Sequence, residues 1–330
     1  MNEPMNSVKI GIDLYGGDNA PSSVVEGALF ALKNKFLSPE ELVIVGNEIS
    51  KEDLDKISNL QIVPAKNLVS NETKPTEVLK MKESSMYVGC EMLKNNELNA
   101  FVSAGNTGAL LSSGTFVAGR LPGIKRPALV LALPSKSNKP KILVDAGANA
   151  EVKAEHFYDF AREGIAYAKF LNLENPRVGI LNIGSEDEKG NSIVREASNL
   201  LKEEKKFNYV GYVEARELFD DTCDIIVTDG FTGNNVLKTM EGTAYFILHE
   251  LKETIKKGGL FTKLGALFLR GSLKSLVNKI DYRSYGGTFF LGVNGVLVKA
   301  HGSSDAEAIA NALYVAYRAA KFDLIEKIEI

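Results

Sequence analysis

NAFVSAGNTGALL, residues 99–111, is the stretch on which the fold turns. Ala100, Phe101 and Val102 form a short apolar run. The chain then passes through Gly105, Asn106, Thr107 and Gly108 into an apolar helical stretch expected to reach about residue 119. A strand apolar on both faces, then a glycine-rich loop, then a helix is the repeating step of a parallel sheet covered on both sides. The step recurs along the chain. VKIGIDLY (8–15), LVIVG (42–46), QIVPA (61–65), PALVLALP (127–134), KILVDAG (141–147), RVGILNIG (177–184), NYVGYVEA (208–215) and CDIIVTDG (223–230) all read as buried strands. Helical spacing falls between them, over 22–35, 75–96, 155–171, 191–204 and 234–257. Near the C-terminus GTFFLGVNGVLVKA (287–300) reads as two strands turning at Asn294-Gly295, and 305–328 closes the chain as an amphipathic helix. The expected fold is a Rossmann-like three-layer α/β/α arrangement with a mostly parallel sheet, and residues 1–330 form one domain.

Composition bounds the function. The chain has 330 residues, 45% of them hydrophobic and 25% charged, which is ordinary globular usage. Lys and Arg total 39 against 42 for Asp and Glu, a net charge of −3, so whole-surface nucleic-acid binding is not expected. Cys90 and Cys223 are far apart, so neither a disulfide framework nor a Cys-x-x-Cys metal site is expected. MNEPMNSVKI lacks the apolar core of a secretory signal. The longest apolar runs, ALVLAL (128–133) and LGALFL (264–269), fall far short of the roughly 20 residues a membrane span needs.

The glycines mark the candidate site. GGDNAP (16–21), SAGNTG (103–108), DAGAN (145–149), NIGSEDEKGN (182–191), DGFTGNN (229–235) and HGSSD (301–305) each follow an apolar strand. Ligands of open α/β sheets bind at the carboxyl ends of the strands, so the six loops are expected to converge on one sheet edge. Glycine lets the backbone approach a ligand, and a following helix N-terminus offers N–H groups to an anion. The anion-binding set is therefore Gly16, Gly17, Asp18, Gly105, Asn106, Thr107, Gly108, Asp145, Gly147, Asn149, Asn182, Asp229, Gly230, Gly233 and His301. A single Asn in such a loop also serves as a helix cap or turn former. No G-x-G, Walker A loop, G-x-S-x-G elbow or H-E-x-x-H occurs, so dinucleotides, nucleoside triphosphates, a serine nucleophile and a zincin site are not expected. His156 and His249 read as structural, and no metal-ligand cluster stands out. What is left is a reaction driven by positioning and charge stabilisation.

Residues 252–281 form a second unusual region, expected to be an amphipathic helical hairpin protruding from the domain. Lys256, Lys257, Lys263, Arg270, Lys274 and Lys279 face only Asp281 in charge over 256–281. Leu260, Phe261, Leu264, Leu267 and Phe268 lie among them, with Gly258, Gly259, Gly265 and Gly271 as breaks. Such a stretch suits a membrane surface, an acidic partner or a dimer interface.

Taken in order, GGDNAP, VSAGNTGALL, LVDAGAN, NIGSEDEKGN, VTDGFTGNNVLKTMEG, DYRSYGG and VKAHGSSDA resemble the bacterial phosphate acyltransferase (PlsX) family over about residues 8–320. The resemblance implies a fold similar to phosphate acetyltransferase and isopropylmalate dehydrogenase. It implies transfer of a fatty acyl group from acyl-carrier protein to inorganic phosphate. The acyl phosphate would feed a membrane acyltransferase that acylates glycerol 3-phosphate in phospholipid synthesis. It further implies no required cofactor or metal, a cytoplasmic homodimer, and peripheral association with an anionic membrane surface. Lys189 and Asn234 match the family's catalytic positions, with backbone amides of 16–18, 105–108 and 147–149 helping to hold phosphate. Asn19 stands where the family usually has His, Tyr15 where it often has Met, and Asn235 where it is usually apolar. The rival readings are a phosphate acetyltransferase using coenzyme A, an isopropylmalate-type dehydrogenase, and a non-catalytic membrane adaptor.

Overall fold

Eleven short strands join into one sheet among the residues that the computed structural model describes, 8–137, 139–280 and 287–328, with only the backbone described for 278–280. The strands are β1 (Ile10–Asp13), β2 (Leu42–Val45), β3 (Gln61–Val63), β4 (Ala100–Ser103), β5 (Ala128–Leu133), β6 (Lys141–Val144), β7 (Arg177–Asn182), β8 (Asn208–Glu214), β9 (Ile225–Val227), β10 (Thr288–Leu291) and β11 (Val296–Lys299). Their order is β3-β2-β1-β4-β11-β10-β5-β6-β9-β7-β8. The DYRSYGG motif lies outside the described residues except for Gly287.

The sheet is parallel in two blocks. β3, β2, β1, β4 and β11 run one way, and β6, β9, β7 and β8 run together. Between the blocks β10 is antiparallel to both β11 and β5, and β5 is antiparallel to β6. Three reversals in a row leave the second block opposed to the first. The six glycine loops therefore do not share one edge: those after β1, β4 and β11 end one block, those after β6, β7 and β9 the other. Successive strands turn by about 20–25°, so the four steps from β4 to β6 swing the opposed blocks far from a simple head-to-tail arrangement. Residues after β4 and β11 then meet Ala146, after β6, and the helix that follows β9 in one cavity.

The helices are α1 (Ser22–Lys33), α2 (Lys51–Lys56), α3 (Ser85–Lys94), α4 (Thr107–Ser113), α5 (Ala154–Phe170), α6 (Ser192–Glu203), α7 (Gly230–Lys257), α8 (Leu260–Phe268), α9 (Arg270–Ile280) and α10 (Ala306–Lys321). Residues of α1, α5, α6 and α10, such as Ala28, Phe160, Ala197 and Leu313, pack on one sheet face. Residues of α3, α4 and the start of α7, such as Met86, Leu110 and Leu237, pack on the other. The strands are apolar on both faces because both are covered.

Four helical expectations shift, the first being the closing helix, which ends at Lys321 and is followed by a 3₁₀ turn at Leu324–Lys327. The segment 75–96 is not continuous: a 3₁₀ turn at Glu77–Lys80 is followed by α3, whose cap Ser84 accepts from the Tyr87 amide at 3.3 Å. The 107–119 helix stops at Ser113 and continues as a wide π turn over Gly114–Ala118. α7 begins four residues earlier than its apolar spacing suggests, because Asp229 caps it at the Thr232 amide, 2.8 Å away. In the basic region Gly258 and Gly259 separate α7 from α8, whereas Gly265 and Gly271 lie inside α8 and α9. No helix among the described residues is long and apolar enough to cross a membrane.

Candidate functional site

Asp13, the last residue of β1, anchors the loops of the first block. It is 2% exposed and accepts the Ser85 and Ser103 hydroxyls, each at 2.6 Å, and the Tyr15 amide at 3.1 Å. Burial pushes its carboxyl above the usual carboxylate range, and those hydrogen bonds and the Lys299 charge pull against that. Gly16 then passes over the neighbouring loop: a Cβ there would lie 2.8 Å from the Gly105 amide nitrogen, so only glycine fits. The Asp18 amide donates to the Gly302 carbonyl at 2.7 Å, which ties the loop after β1 to the loop after β11.

Asn106 caps α4 through its side-chain oxygen (Ala109 amide, 3.0 Å) and donates its NH₂ to the carbonyls of Ser70, Asn71 and Thr73 at 2.9–3.2 Å. Its amide therefore fastens the 70–73 loop over α4. Asn182 is engaged in the same way, donating to the Gly184 and Lys189 carbonyls at 3.1 and 3.2 Å. Asn191 and Asp305 cap α6 and α10. The Asn-rich loop signal is thus largely a capping signal.

Asp145, fully buried after β6, organises the second block. Its carboxylate accepts the amides of Leu129, Gly147, Ala148 and Asn149 and the Asn149 side chain, at 2.7–3.0 Å. Burial raises its carboxyl and these hydrogen bonds oppose the rise. The amides of 147–149 thus donate to Asp145. Asn149 in turn accepts the Gly230 amide at 2.8 Å, which sets the start of α7. Gly233 is needed because a Cβ there would strike the Asp145 carbonyl oxygen. The next residue, Asn234, lies against Gly147, whose φ of +134° suits glycine.

These elements enclose a cavity of about 570 Å³. Its floor is apolar, made of Leu129, Leu131, Ala146 and Leu237. Thr107, His301 and the 302–305 loop reach it from the first block, and Asn234 and Lys238 from α7. Lys299, at the end of β11, also lines it. The structure therefore brings together Thr107, Asn234 and His301 from the expected set. Gly16, Gly17, Asp18, Gly105, Gly108, Asp145, Gly147, Asn149, Asp229, Gly230 and Gly233 shape the surrounding backbone. Lys189 is exposed in the loop after β7 and is not among the cavity's lining residues. Sequence reasoning missed three residues. Asp13 reads as a strand residue, Lys299 as the end of an apolar strand, and Lys238 as a surface helix residue. A lysine closing an otherwise apolar strand just before HGSSD was the available signal for Lys299.

The Lys299 ammonium donates to the Ala104 carbonyl at 3.1 Å and to the Ala300 carbonyl. Burial pulls it down to about 8, with Lys238 acting in the same direction and Asp18 and Asp13 opposing. Lys238 pairs with Glu241 at 2.7 Å. His301 Nδ1 is 2.8 Å from the Ser303 hydroxyl. Among the described residues no group of three or more His, Cys, Asp or Glu is placed to hold a metal ion.

The fold is shared with solved phosphotransacetylases. A phosphotransacetylase from Streptococcus pyogenes superposes with a TM-score of 0.64, at 14% identity over 96% of this chain and 95% of its own. A branched-chain phosphotransacylase from Enterococcus faecalis gives 0.58, at 13% identity over 95% of this chain and 99% of its own. The family model described as fatty acid synthesis protein matches residues 8–327. Phosphate acyltransferases from Thermotoga maritima and Macrococcus caseolyticus are 47% and 43% identical, covering 98% and 96% of this chain and 96% and 97% of theirs. The chain belongs to the phosphate acyltransferase family.

Proposed function

We propose that the protein transfers a fatty acyl group from acyl-carrier protein to inorganic phosphate, releasing acyl phosphate and the free carrier thiol. The observation that carries this reading is the cavity itself, an apolar floor beneath Asn234, Lys238, Lys299 and His301. An acyl thioester needs the floor, and a phosphate dianion needs the polar wall. Family membership and the names of the relatives support the same reaction.

The chemistry requires no covalent enzyme intermediate. A phosphate oxygen attacks the thioester carbonyl carbon, and the C–O bond forms as the carbonyl electron pair moves to oxygen. The C–S bond then breaks, its electrons leave with sulfur, and the thiolate takes a proton from solvent. Asn234 donates to the oxyanion; its side chain makes no hydrogen bond among the described residues and lies close to Gly147, where a Cβ would crowd it. A preorganised donor of this kind is typically worth about 10²–10³ in rate. Lys189, which the family resemblance makes a cation fixing phosphate or the developing charge, stands outside the cavity lining, so this reading gives it capture of the incoming anionic substrate.

The product would pass to a membrane acyltransferase that acylates glycerol 3-phosphate. A position on the cytoplasmic face of an anionic membrane, as a homodimer, completes the proposal. Exposed α8 supports the membrane contact: Phe261 and Phe268 are 89% and 88% exposed, with Lys263, Arg270 and Lys274 close by in sequence. Initial rates with acyl-carrier protein and acyl-coenzyme A, each with and without phosphate, test the reading. Phosphate-dependent loss of the carrier thioester supports it. A clear preference for the coenzyme A ester would replace the donor.

A further inference from the structure

We infer that Lys299 is a substrate-binding cation of this site, holding the phosphate by direct charge-assisted hydrogen bonding. The inference rests on the phosphate reading above and deepens it.

Among the described residues Lys299 has no carboxylate in direct contact. Buried ammonium groups are ordinarily matched by a carboxylate, because removing a charge from water is costly. Lys299 lines the cavity and forms no ion pair among the described residues. Its hydrogen bonds go to two main-chain carbonyls, of Ala104 and Ala300. An ammonium has three protons, so one is left for an occupant of the cavity. The nearby carboxylates act on Lys299 from a distance and bond directly to other groups. Asp13 holds two serine hydroxyls, Asp305 caps α10, and Lys238 is paired with Glu241. Asp18 and Asp13 attract Lys299 without bonding to it. An anion in the cavity is the partner this arrangement lacks. Two carbonyls behind Nζ fix the ammonium before the anion arrives, which lowers the cost of binding. The site also explains why β11, apolar through Val298, ends on a lysine.

Titrating inorganic phosphate into the protein by calorimetry tests this without any acyl donor. Lys299→Met should weaken phosphate binding about 10- to 100-fold, and Lys299→Arg should keep most of it. The wild-type protein should bind more weakly as pH rises through about 8, whereas Lys299→Arg, charged throughout, should not. The other groups at the cavity do not mimic this. The charged groups around Lys299, namely Asp13, Asp18, Lys238, His301, Asp305 and Glu307, are all retained in Lys299→Arg, so a pH response that disappears in that variant belongs to Lys299. Wild-type affinity in Lys299→Met, a flat wild-type pH response or no phosphate binding at all would overturn the inference. The pH titration uses the unaltered chain, so it stands even where Lys299→Met fails to fold. Acyl phosphate formation by the wild-type protein, measured separately, decides the underlying reading.

Discussion

Asn149 donates twice to one oxygen of Asp145, from its main-chain nitrogen at 2.7 Å and its side-chain nitrogen at 2.9 Å. The same Asn149 accepts the first amide of α7, at Gly230. A buried carboxylate thus sets where α7 starts, and α7 carries Asn234 into the cavity. Asp145→Ala removes the acceptor of five hydrogen bonds at a fully buried position. The expected cost is about 3–5 kcal/mol, visible as a large fall in Tm. Asp145→Asn keeps the shape but sets a donor against donors, so it should also lower Tm and reduce kcat. Unchanged stability in both variants would remove Asp145 from this role.

Asn234 reaches the cavity from a helix face, so its loss should leave the fold intact. Asn234→Ala is expected to lower kcat about 10²–10³-fold with little change in Tm. Lys189→Ala, outside the cavity lining, should act more through substrate capture. Its signature is a raised KM that weakens with salt, with kcat less affected. Wild-type kinetics in both variants would sink the two assignments.

Leu264 and Phe268 lie on exposed α8, where they contribute little to the core. Replacing both with Glu should release the protein from vesicles containing anionic lipid while leaving turnover of soluble substrate near normal. Retained vesicle binding would reject the membrane role of α8. A change in oligomeric state instead would assign the face to a second copy of the chain.

Glu163 gives a stability prediction with a defined sign. It is fully buried in α5, and burial pushes its carboxyl well above the usual value, with Asp159 and Asp145 adding to the rise. The native state therefore binds a proton that the unfolded state releases near pH 4.5. Its contribution to stability is full below that pH and is lost as pH rises toward the native value. Glu163→Gln should raise Tm at neutral pH and change it little near pH 4. A lower Tm at both pH values would show that the ionised form is needed.

The strands and their glycine loops were legible because each is local: an apolar run, a glycine, a helix start. The direction of the second block was not, since nothing within KILVDAG shows that β5 and β10 reverse the sheet beside it. Site residues divided along the same line. Asn234 stood out through its loop motif, and Thr107 and His301 through their positions after strands. Asn106 and Asn182 carried the same signal yet spend their side chains on main-chain carbonyls. Lys299 closes an apolar strand just before HGSSD, but that it lines the cavity with no described carboxylate in direct contact shows only in the assembled fold.

The central claim is that this cavity joins an acyl group to phosphate. The direct measurement is a ³¹P NMR time course of the purified protein with acyl-carrier-protein thioester and inorganic phosphate. The account predicts an acyl-phosphate resonance that grows as carrier thiol is released, in equal amounts, and that is absent for Asn234→Ala on the same timescale. Thioester loss without that resonance, or at a rate independent of phosphate, would contradict it.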